Sequence, residues 1–296
     1  MNQKIGEHGF LVVDKEPGMT SHDVVAIARR ALGTRKVGHA GTLDPMATGV
    51  LVLGFNNGTR LLQYITDGDK SYQATVVLGV STVTDDFEGE VIATVDASAI
   101  TDEQINAELD TMRGTFMQRP SSVSAVKVDG ERAYDRVRSG ETVVLASREV
   151  TISQLDILEI RRIEKRVEID IEVTCSAGTY IRAIARDCGD RLKVGGHLSA
   201  LRRTRVAGFT TSGSASIADL KSAEFSTLDL ADVARATFPV REIALDEKLE
   251  LSFGRTLAAN PADGIFAGVS TANELIALLS NVDGKAKPIA VFAAAH

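Results

Sequence analysis

The chain has 296 residues, of which 44% are hydrophobic and 25% are charged, and its formal net charge is -7 at pH 7. This length and composition are typical of a soluble globular protein with one large domain and space for a smaller one. The N-terminal sequence lacks the basic and then apolar order of a secretory signal, and no apolar run approaches the roughly 20 residues of a membrane span. We expect a cytoplasmic protein that does not bind membranes.

The two cysteines and five histidines form no Cys/His cluster along the sequence. The spacing of Cys175 and Cys188 suits neither a metal site nor a disulfide framework. We therefore expect two reduced cysteines that serve packing, and we expect neither a structural nor a catalytic zinc site.

The charges are unevenly distributed. Between Ser71 and Met112 there is no Lys or Arg, although nine acidic residues lie there. Between Gly178 and Arg205, seven basic residues outnumber two acidic ones, which gives a local charge of +5. Further basic residues occur at 29–36 and 119–138. Each run by itself suits a solvated face, but together they favour a protein that binds phosphates on one side while staying acidic overall.

The N-terminal part predicts a strand, a helix and a second strand. Phe10 to Val13 suits a short strand. A helix should begin at Thr20 or Ser21, because Thr20 and Asp23 form a capping-box pattern. Its inward face should carry Val24, Ala28, Ala31 and Leu32. A buried strand is expected around 50–55.

The next elements lie in the middle of the chain. We expect a strand at 72–80 and a helix capped by Thr101 and Gln104, with Ile105, Leu109 and Met112 as its apolar stripe. Residues 166–175 alternate between apolar and polar side chains, so they predict a strand with one buried face. Thr179 should cap a helix that turns inward the side chains of Ile181, Ile184, Cys188 and Leu192.

Strands and helices mix here without a regular βαβ alternation, so the fold class should be α+β. Residues 118–149 are polar and basic, which suits an excursion from the core. Past Pro239 the composition changes to short apolar pieces. We expect a catalytic domain at 1–240, with an insertion at about 120–149, and a small second domain at 241–296.

The segment GHAGTLDPMATG, residues 38–49, places Asp44 in a glycine-rich loop just before an apolar run. Pro45 disfavours helical geometry at Asp44, and the glycines let the backbone turn tightly. An isolated Asp-Pro pair is usually a simple turn, but here a histidine and basic residues flank it. An aspartate is ionised at neutral pH and can act as nucleophile or base. Since the motif has no second acid, two-carboxylate glycosidase chemistry is not expected.

Other candidate site residues have a structural alternative. Tyr72 opens a predicted strand, where core packing is an equally good interpretation. Tyr180 precedes Arg182 at a predicted helix start, and a ring beside a guanidinium suits a flipped base and its phosphate. His39 lies five residues before Asp44, so substrate contact competes with a packing role. Lys15 either lies on the surface or braces a loop against phosphate.

Six segments in this order resemble those of the bacterial tRNA pseudouridine-55 synthases. They are DKEPGMTSHD at 14–23, GHAGTLDPMATG at 38–49, DKSYQATVVLG at 69–79, RPSSVSAVK at 119–127, SAGTYIRAIARDCG at 176–189 and HLSALRRTRVAGF at 197–209. The chain departs from the family's pattern at DKEPG, where the family usually has proline directly after the lysine.

The resemblance implies a fold and a site. It implies a mixed, largely antiparallel sheet flanked by helices, an RNA-gripping insertion, and a short C-terminal domain of the PUA type. Asp44 would be the catalytic aspartate, with Arg182 paired to it and Tyr72 stacked on the target base. His39, Tyr180 and Leu201 would line the uridine pocket, and Lys15 would support the adjoining loop. No cofactor and no metal would be needed.

The reaction implied is the isomerisation of one uridine in the T loop of tRNA, with the target base flipped out of its stack. Asp44 would attack the sugar or the base, or remove the 2′ proton, and the sequence does not choose among these. Two alternatives stay open: a noncatalytic RNA-binding or RNA-folding protein, and a pseudouridine synthase that acts on another RNA, such as ribosomal RNA through a guide complex. We expect a monomer that acts on the T arm without a protein partner.

Overall fold

The computed structural model describes residues 6–121, 127–128, 131–132 and 145–293. Most of the expected insertion at 120–149 lies outside these ranges. The described helices are α1 Ser21–Ala31, α2 Leu62–Thr66, α3 Asp102–Asp110, α4 Ile181–Arg191, α5 Ile217–Ser222, α6 Leu230–Thr237 and α7 Leu245–Ser252, with a 3-10 helix at Asn56–Arg60.

Eighteen strands occur in the described part of the chain. The first nine are β1 Gly9–Lys15, β2 Val37–His39, β3 Thr48–Phe55, β4 Lys70–Leu78, β5 Val80–Thr82, β6 Val91–Thr94, β7 Gly114–Gln118, β8 Lys127–Val128 and β9 Glu131–Arg132. The others are β10 Arg148–Ile163, β11 Arg166–Cys175, β12 Gly196–Val206, β13 Phe209–Thr210, β14 Val240–Ile243, β15 Leu257–Ala258, β16 Ile265–Ser270, β17 Leu275–Val282 and β18 Lys285–Val291. This mixture confirms the α+β class.

The chain folds into two compact units. One consists of Met1–Asp44, Val50–Thr66 and Ala207–His296, and the other of Pro45–Gly49 and Asp67–Val206. The chain passes from one to the other directly after Asp44, the proposed catalytic residue. The domain boundary expected near residue 240 stays a prediction.

The second unit contains a mainly antiparallel sheet with the strand order β12, β4, β11, β10, β7. The alternation predicted for β11 is confirmed, because Val167, Ile169, Ile171, Val173 and Cys175 are all buried. Beyond β12, Thr48 and Gly49 pair in parallel with Arg202 and Arg203. The residues just after Asp44 are thereby held by the sheet of the second unit.

In the first unit, β3 is the neighbour of β1 and pairs antiparallel with β2. The unit also contains a sheet of the order β14, β16, β17, β18, β15, which has its own apolar core. Phe266, Leu251 and Leu279 are completely buried in that core. The C-terminal residues therefore form a packed β structure.

Local sequence sets the start of two helices as predicted. Thr20 accepts a hydrogen bond from the amide of Asp23 before α1, and Thr101 accepts one from Gln104 before α3. In both cases the return bond of the capping box is present. Val24 and Ala28 of α1 are buried, as are Ile105, Leu109 and Met112 at α3, while Ala31 and Leu32 are half-buried.

The start of α4 differs from the prediction. Thr179 does not cap the helix; its Oγ1 donates instead to the carbonyl of Ser176 at 3.0 Å. Tyr180 occupies the N-cap position and supplies no side-chain cap of its own. Ile181, Ile184 and Cys188 are buried as expected, whereas Leu192 follows the helix and is half-buried.

No helix in the described ranges is long and apolar enough to cross a membrane.

Candidate active site

The backbone before Asp44 is fixed by a serine of α1. Ser21 Oγ donates to the carbonyl of Leu43 at 3.2 Å and accepts from the amide of Leu43 at 2.9 Å. Ser21 is 1% exposed, and Asp44 itself is half-buried. Because one hydroxyl satisfies both backbone groups of Leu43, the chain enters Asp44 from a defined position.

His39 and Lys15 lie in the same unit as Asp44. His39 ends β2, and its ring meets that of His22 edge-on with centroids 5.6 Å apart. Lys15 ends β1, is fully buried, and donates to the carbonyl of Glu16 at 2.9 Å. The surface interpretation of Lys15 is therefore wrong, and a role within the fold remains.

Gly49, the last residue of the glycine-rich segment 38–49, is required by the pairing of β3 with β12. Gly49 has φ +99°, and a Cβ at this position would lie 2.1 Å from the carbonyl oxygen of Arg203. Any residue with a Cβ would collide with β12 here, so glycine allows β3 to pair with that strand. The segment that contains Asp44 thus also contains the glycine through which β3 pairs with β12.

Tyr72 and Leu201 lie on the same face of neighbouring strands. Tyr72 of β4 is opposite Arg203 of β12, and Ala74 is opposite Leu201. Opposed residues of antiparallel strands share a face, as do residues two apart on one strand. Tyr72 and Leu201 are each 7% exposed. Their common face is consistent with both a shared pocket and core packing, and their roles stay predictions.

Arg182 is buried beside an acidic residue that sequence reasoning missed. Its Nη1 donates to the carbonyl of Thr84 at 2.7 Å and lies 3.3 Å from Asp86 Oδ2. The side chains of Arg182 and Asp86 are each 5% exposed. Burial of both charges makes their pairing necessary, because an unpaired buried charge is strongly destabilising. The pairing of Arg182 with Asp44 stays a prediction.

One turn further along α4, Arg186 forms an ion pair with a second buried carboxylate. Its Nη1 lies 3.2 Å from Asp85 Oδ2, and its Nη2 donates to the carbonyl of Arg119 at 2.7 Å. Burial raises the pKa of Asp85, and the nearby guanidinium of Arg186 opposes this rise. Asp85 and Asp86 are adjacent acids in a stretch without Lys or Arg, and that was the signal available in the sequence.

Tyr180 is held by two residues of the neighbouring strands. Gln118 Nε2 donates to the carbonyl of Tyr180 at 3.0 Å, and the amide of Tyr180 donates to Gln118 Oε1 at 2.8 Å. The guanidinium of Arg148 lies 4.6 Å from the centroid of the Tyr180 ring. Gln118 therefore holds the backbone of the residue at which α4 begins, a contact that Thr179 does not make.

The cysteines have the packing role that was expected. Cys175 and Cys188 are both buried and free, and burial raises the pKa of Cys175 to about 11 and that of Cys188 to about 12. Such thiols are protonated at neutral pH and are poor nucleophiles. Within the described residues, no group of three or more His, Cys, Asp or Glu side chains is placed to hold a metal ion.

Two solved complexes contain a chain with a similar fold. A chain of a Cbf5-Nop10-Gar1 complex matches 99% of this chain and 88% of its own length, with a TM-score of 0.72 and 23% identity. A chain of an H/ACA RNP bound to a substrate RNA containing 2′-deoxyuridine matches with a TM-score of 0.71 and 22% identity, over 97% of this chain and 86% of its own. These likenesses confirm the fold expected from the sequence.

Sequence comparison identifies the family. Residues 29–181 match the model of the TruB family pseudouridylate synthase N-terminal domain. Residues 182–244 match the tRNA pseudouridylate synthase B C-terminal domain, and residues 238–293 match the C-terminal model of tRNA pseudouridine synthase II.

Two curated relatives are similar over almost their whole length. The tRNA pseudouridine synthase B of Arthrobacter sp. (strain FB24) is 51% identical, with 96% of each chain covered. That of Corynebacterium efficiens is 50% identical, over 98% of this chain and 97% of its own. With the family model matched and half of the residues identical to these relatives, this chain belongs to the TruB family of pseudouridylate synthases.

Proposed function

We propose that this protein isomerises uridine to pseudouridine in tRNA, at position 55 of the T loop. Relatives about 50% identical over nearly the full chain are named tRNA pseudouridine synthase B, which supports the reaction and the class of substrate. The structural observation that carries the proposal is Asp44, a half-buried carboxylate whose preceding residue is held by Ser21 through two hydrogen bonds.

Each site residue has a proposed role. Asp44 breaks the C1′–N1 bond of the target nucleotide, and Arg182 supports its charge. Tyr72 stacks on the base. Leu201, Tyr180 and His39 line the uridine pocket, and Lys15 braces the loop beside it.

The energetics support an aromatic and basic site. Extruding the target base costs a few kcal/mol, and stacking on an aromatic ring returns about 1–3 kcal/mol per base. Contacts from Lys and Arg to phosphates supply further, salt-dependent affinity. In the basic segment between Gly178 and Arg205, Arg191 and Lys193 are exposed and can make such contacts, whereas Arg182 and Arg186 are paired with buried acids.

The reaction is balanced without a co-reactant. The C1′–N1 bond breaks, the detached uracil rotates in the pocket, and a bond forms between C1′ and C5. The proton on C5 is released and N1 ends protonated, so the product is an isomer of the substrate. Release of the C5 hydrogen therefore reports turnover directly.

The test is tritium release from T-arm RNA that carries 5-tritiated uridine, with the purified chain as the sole protein. Asp44→Asn should lower the rate by at least about 10²-fold, since a positioned acid or base contributes that much or more. Asp96→Asn makes the same change in an exposed turn, where Asp96 Oδ1 accepts from the amide of Ser98, and should keep the wild-type rate.

Release at the wild-type rate by Asp44→Asn would show that Asp44 is not catalytic. No release by the wild-type chain, with RNA binding intact, would favour the noncatalytic alternative. Mapping of modified uridines in cellular tRNA with and without the protein tests the proposed position 55. A modified site outside the T loop would contradict that position but not the isomerisation reaction. We also propose that the protein acts in the cytoplasm as a monomer without a protein partner. Activity of the purified chain tests whether a partner is needed, and the mass of the active species in solution tests the monomer.

A further inference from the structure

The backbone of Tyr180 is held from outside its own motif. Gln118 is 1% exposed, and its amide exchanges two hydrogen bonds with the carbonyl and the amide of Tyr180. Tyr180 is the N-cap residue of α4 and makes no side-chain cap. The amide of Gln118 therefore fixes the position from which the tyrosine side chain projects.

The ring of Tyr180 is held by Arg148. The guanidinium carbon of Arg148 lies 4.6 Å from the ring centroid, within the range of a cation–π contact. Arg148 is opposite Gln118 in the pairing of β10 with β7, so both residues approach Tyr180 from one strand pair. With one face of the ring covered, a nucleotide can reach Tyr180 through the opposite face, the edge or the hydroxyl.

Gly178 lies beside the guanidinium of Arg148. Gly178 has φ +87°, and a Cβ there would lie 3.4 Å from Cζ and 3.5 Å from Nε of Arg148. These are ordinary van der Waals distances, so the backbone angle, at which other residues are strained, is what favours glycine here. Arg148 thus lies between the backbone of Gly178 and the ring of Tyr180.

In the observed position of Arg148, one of its nitrogen atoms makes no hydrogen bond within the described part of the chain. Its Nε is buried, and among the described residues it has no hydrogen-bond partner. A buried N–H without a partner within the protein is costly, so the position of this side chain is not explained by its hydrogen bonds at Nε. Contact with the ring is what the observed position achieves.

We propose that Arg148 is a positioning residue for the reaction: it holds the ring of Tyr180 in the orientation that receives the target uridine, while Gln118 holds the backbone of Tyr180. This inference rests on the proposed assignment of Tyr180 to the uridine pocket. It adds to that assignment two residues that act through Tyr180.

The test is steady-state kinetics of tritium release from T-arm RNA. Arg148→Met should lower kcat about tenfold, less than the roughly hundredfold that a 1 Å misplacement can cost, with KM and the thermal midpoint little changed. Arg148→Lys keeps the charge but loses the planar group that stacks on the ring, so its kcat should lie between those of wild type and Arg148→Met. Arg166→Met removes the same charge from an exposed position of β11 and should match wild type.

A double-mutant cycle separates this role from a general structural one. In a Tyr180→Ala background, Arg148→Met should have no further effect on kcat, because no ring is left to hold. In a Tyr180→Phe background, which keeps the ring, it should again cost about tenfold.

An unchanged kcat for Arg148→Met, with Tyr180→Ala impaired, would overturn the role of Arg148 alone. The same tenfold loss in the Tyr180→Ala background would also overturn it, since Arg148 would then act elsewhere. Wild-type kcat in Tyr180→Ala would overturn the pocket assignment and this inference together, while the test of Asp44→Asn would still decide the reaction.

Discussion

At the scale of single residues, the position of Asp44 depends on Ser21. The two hydrogen bonds between Ser21 and Leu43 join positions 22 residues apart in the chain. Ser21 is also the first residue of α1, so one side chain joins the start of the helix to the loop that precedes Asp44. A small hydroxyl residue is needed there, because it must accept and donate in a buried space.

Ser21→Ala should reduce both stability and turnover. It leaves the buried amide and carbonyl of Leu43 without their partner, at a cost of about 1–3 kcal/mol in the free energy of unfolding. Under the proposed role of Asp44, loss of these two hydrogen bonds should also lower kcat, because the carboxylate is then less well placed. Urea unfolding and tritium release measure the two effects.

A matched control is Ser153→Ala, which removes a hydroxyl that donates to the carbonyl of Thr174 in an exposed position. It should leave kcat unchanged. A Ser21→Ala protein with wild-type kcat would show that the two hydrogen bonds serve stability alone.

At the scale of elements, the pairing of β10 with β11 is stabilised by charge across the strands. Arg161 Nη2 donates to Asp170 Oδ1 at 3.0 Å, and the carboxylate also accepts from Thr75 Oγ1 at 2.7 Å. The hydrogen bonds from Arg161 lower the pKa of Asp170 below its ordinary value. These strands carry Arg148 at one end, so their register places the residue that contacts Tyr180.

The pH dependence of this pair has a defined sign. Because the pKa of Asp170 is lower in the folded protein, its contribution to stability is present above the ordinary aspartate value of 3.8 and is lost as the pH falls through the folded value. Asp170→Asn should therefore be less stable than wild type at pH 7. The difference should shrink as the pH falls below that ordinary value, as measured by urea unfolding over a pH series.

A stability difference that stays constant down to the lowest pH would contradict the role of the ionised pair. In that case, the loss would come from the hydrogen bond of Thr75 or from packing, neither of which needs the charge.

At the scale of the whole molecule, acidic and basic residues are grouped in separate segments of the chain. The net charge is -7, yet the segment from Gly178 to Arg205 has a local charge of +5. Arg182 and Arg186 of this segment are paired with buried acids, whereas Arg191 and Lys193 are exposed. Exposed cations attract a polyanion even when the whole chain is acidic. Affinity for RNA should therefore be sensitive to ionic strength.

The expected result is a linear decrease of the logarithm of the association constant with the logarithm of salt concentration. The slope should be about -0.7 to -0.9 for each phosphate neutralised, measured by filter binding of tRNA between about 50 and 200 mM salt. Asp44→Asn should show the same slope, because Asp44 is not a cation that contacts phosphate. Affinity independent of salt would contradict a basic RNA-binding region.

The sequence by itself determined the local structure and the family. Capping boxes at Thr20 and Thr101 and the alternation in β11 depend on neighbours within a few residues, so their patterns predict the elements correctly. Six ordered motifs likewise indicated the family that the comparisons confirm.

Only the tertiary structure decided which side chains support the site. The contacts of Ser21 with Leu43, Arg182 with Asp86 and Gln118 with Tyr180 join segments that are distant in sequence. The start of α4 shows the reason: Thr179 has a residue type that can cap a helix, but Gln118, 62 residues before Tyr180, is the residue that bonds the backbone there. Such pairs form because register and burial bring their polar groups together, and that information is not contained in the local pattern.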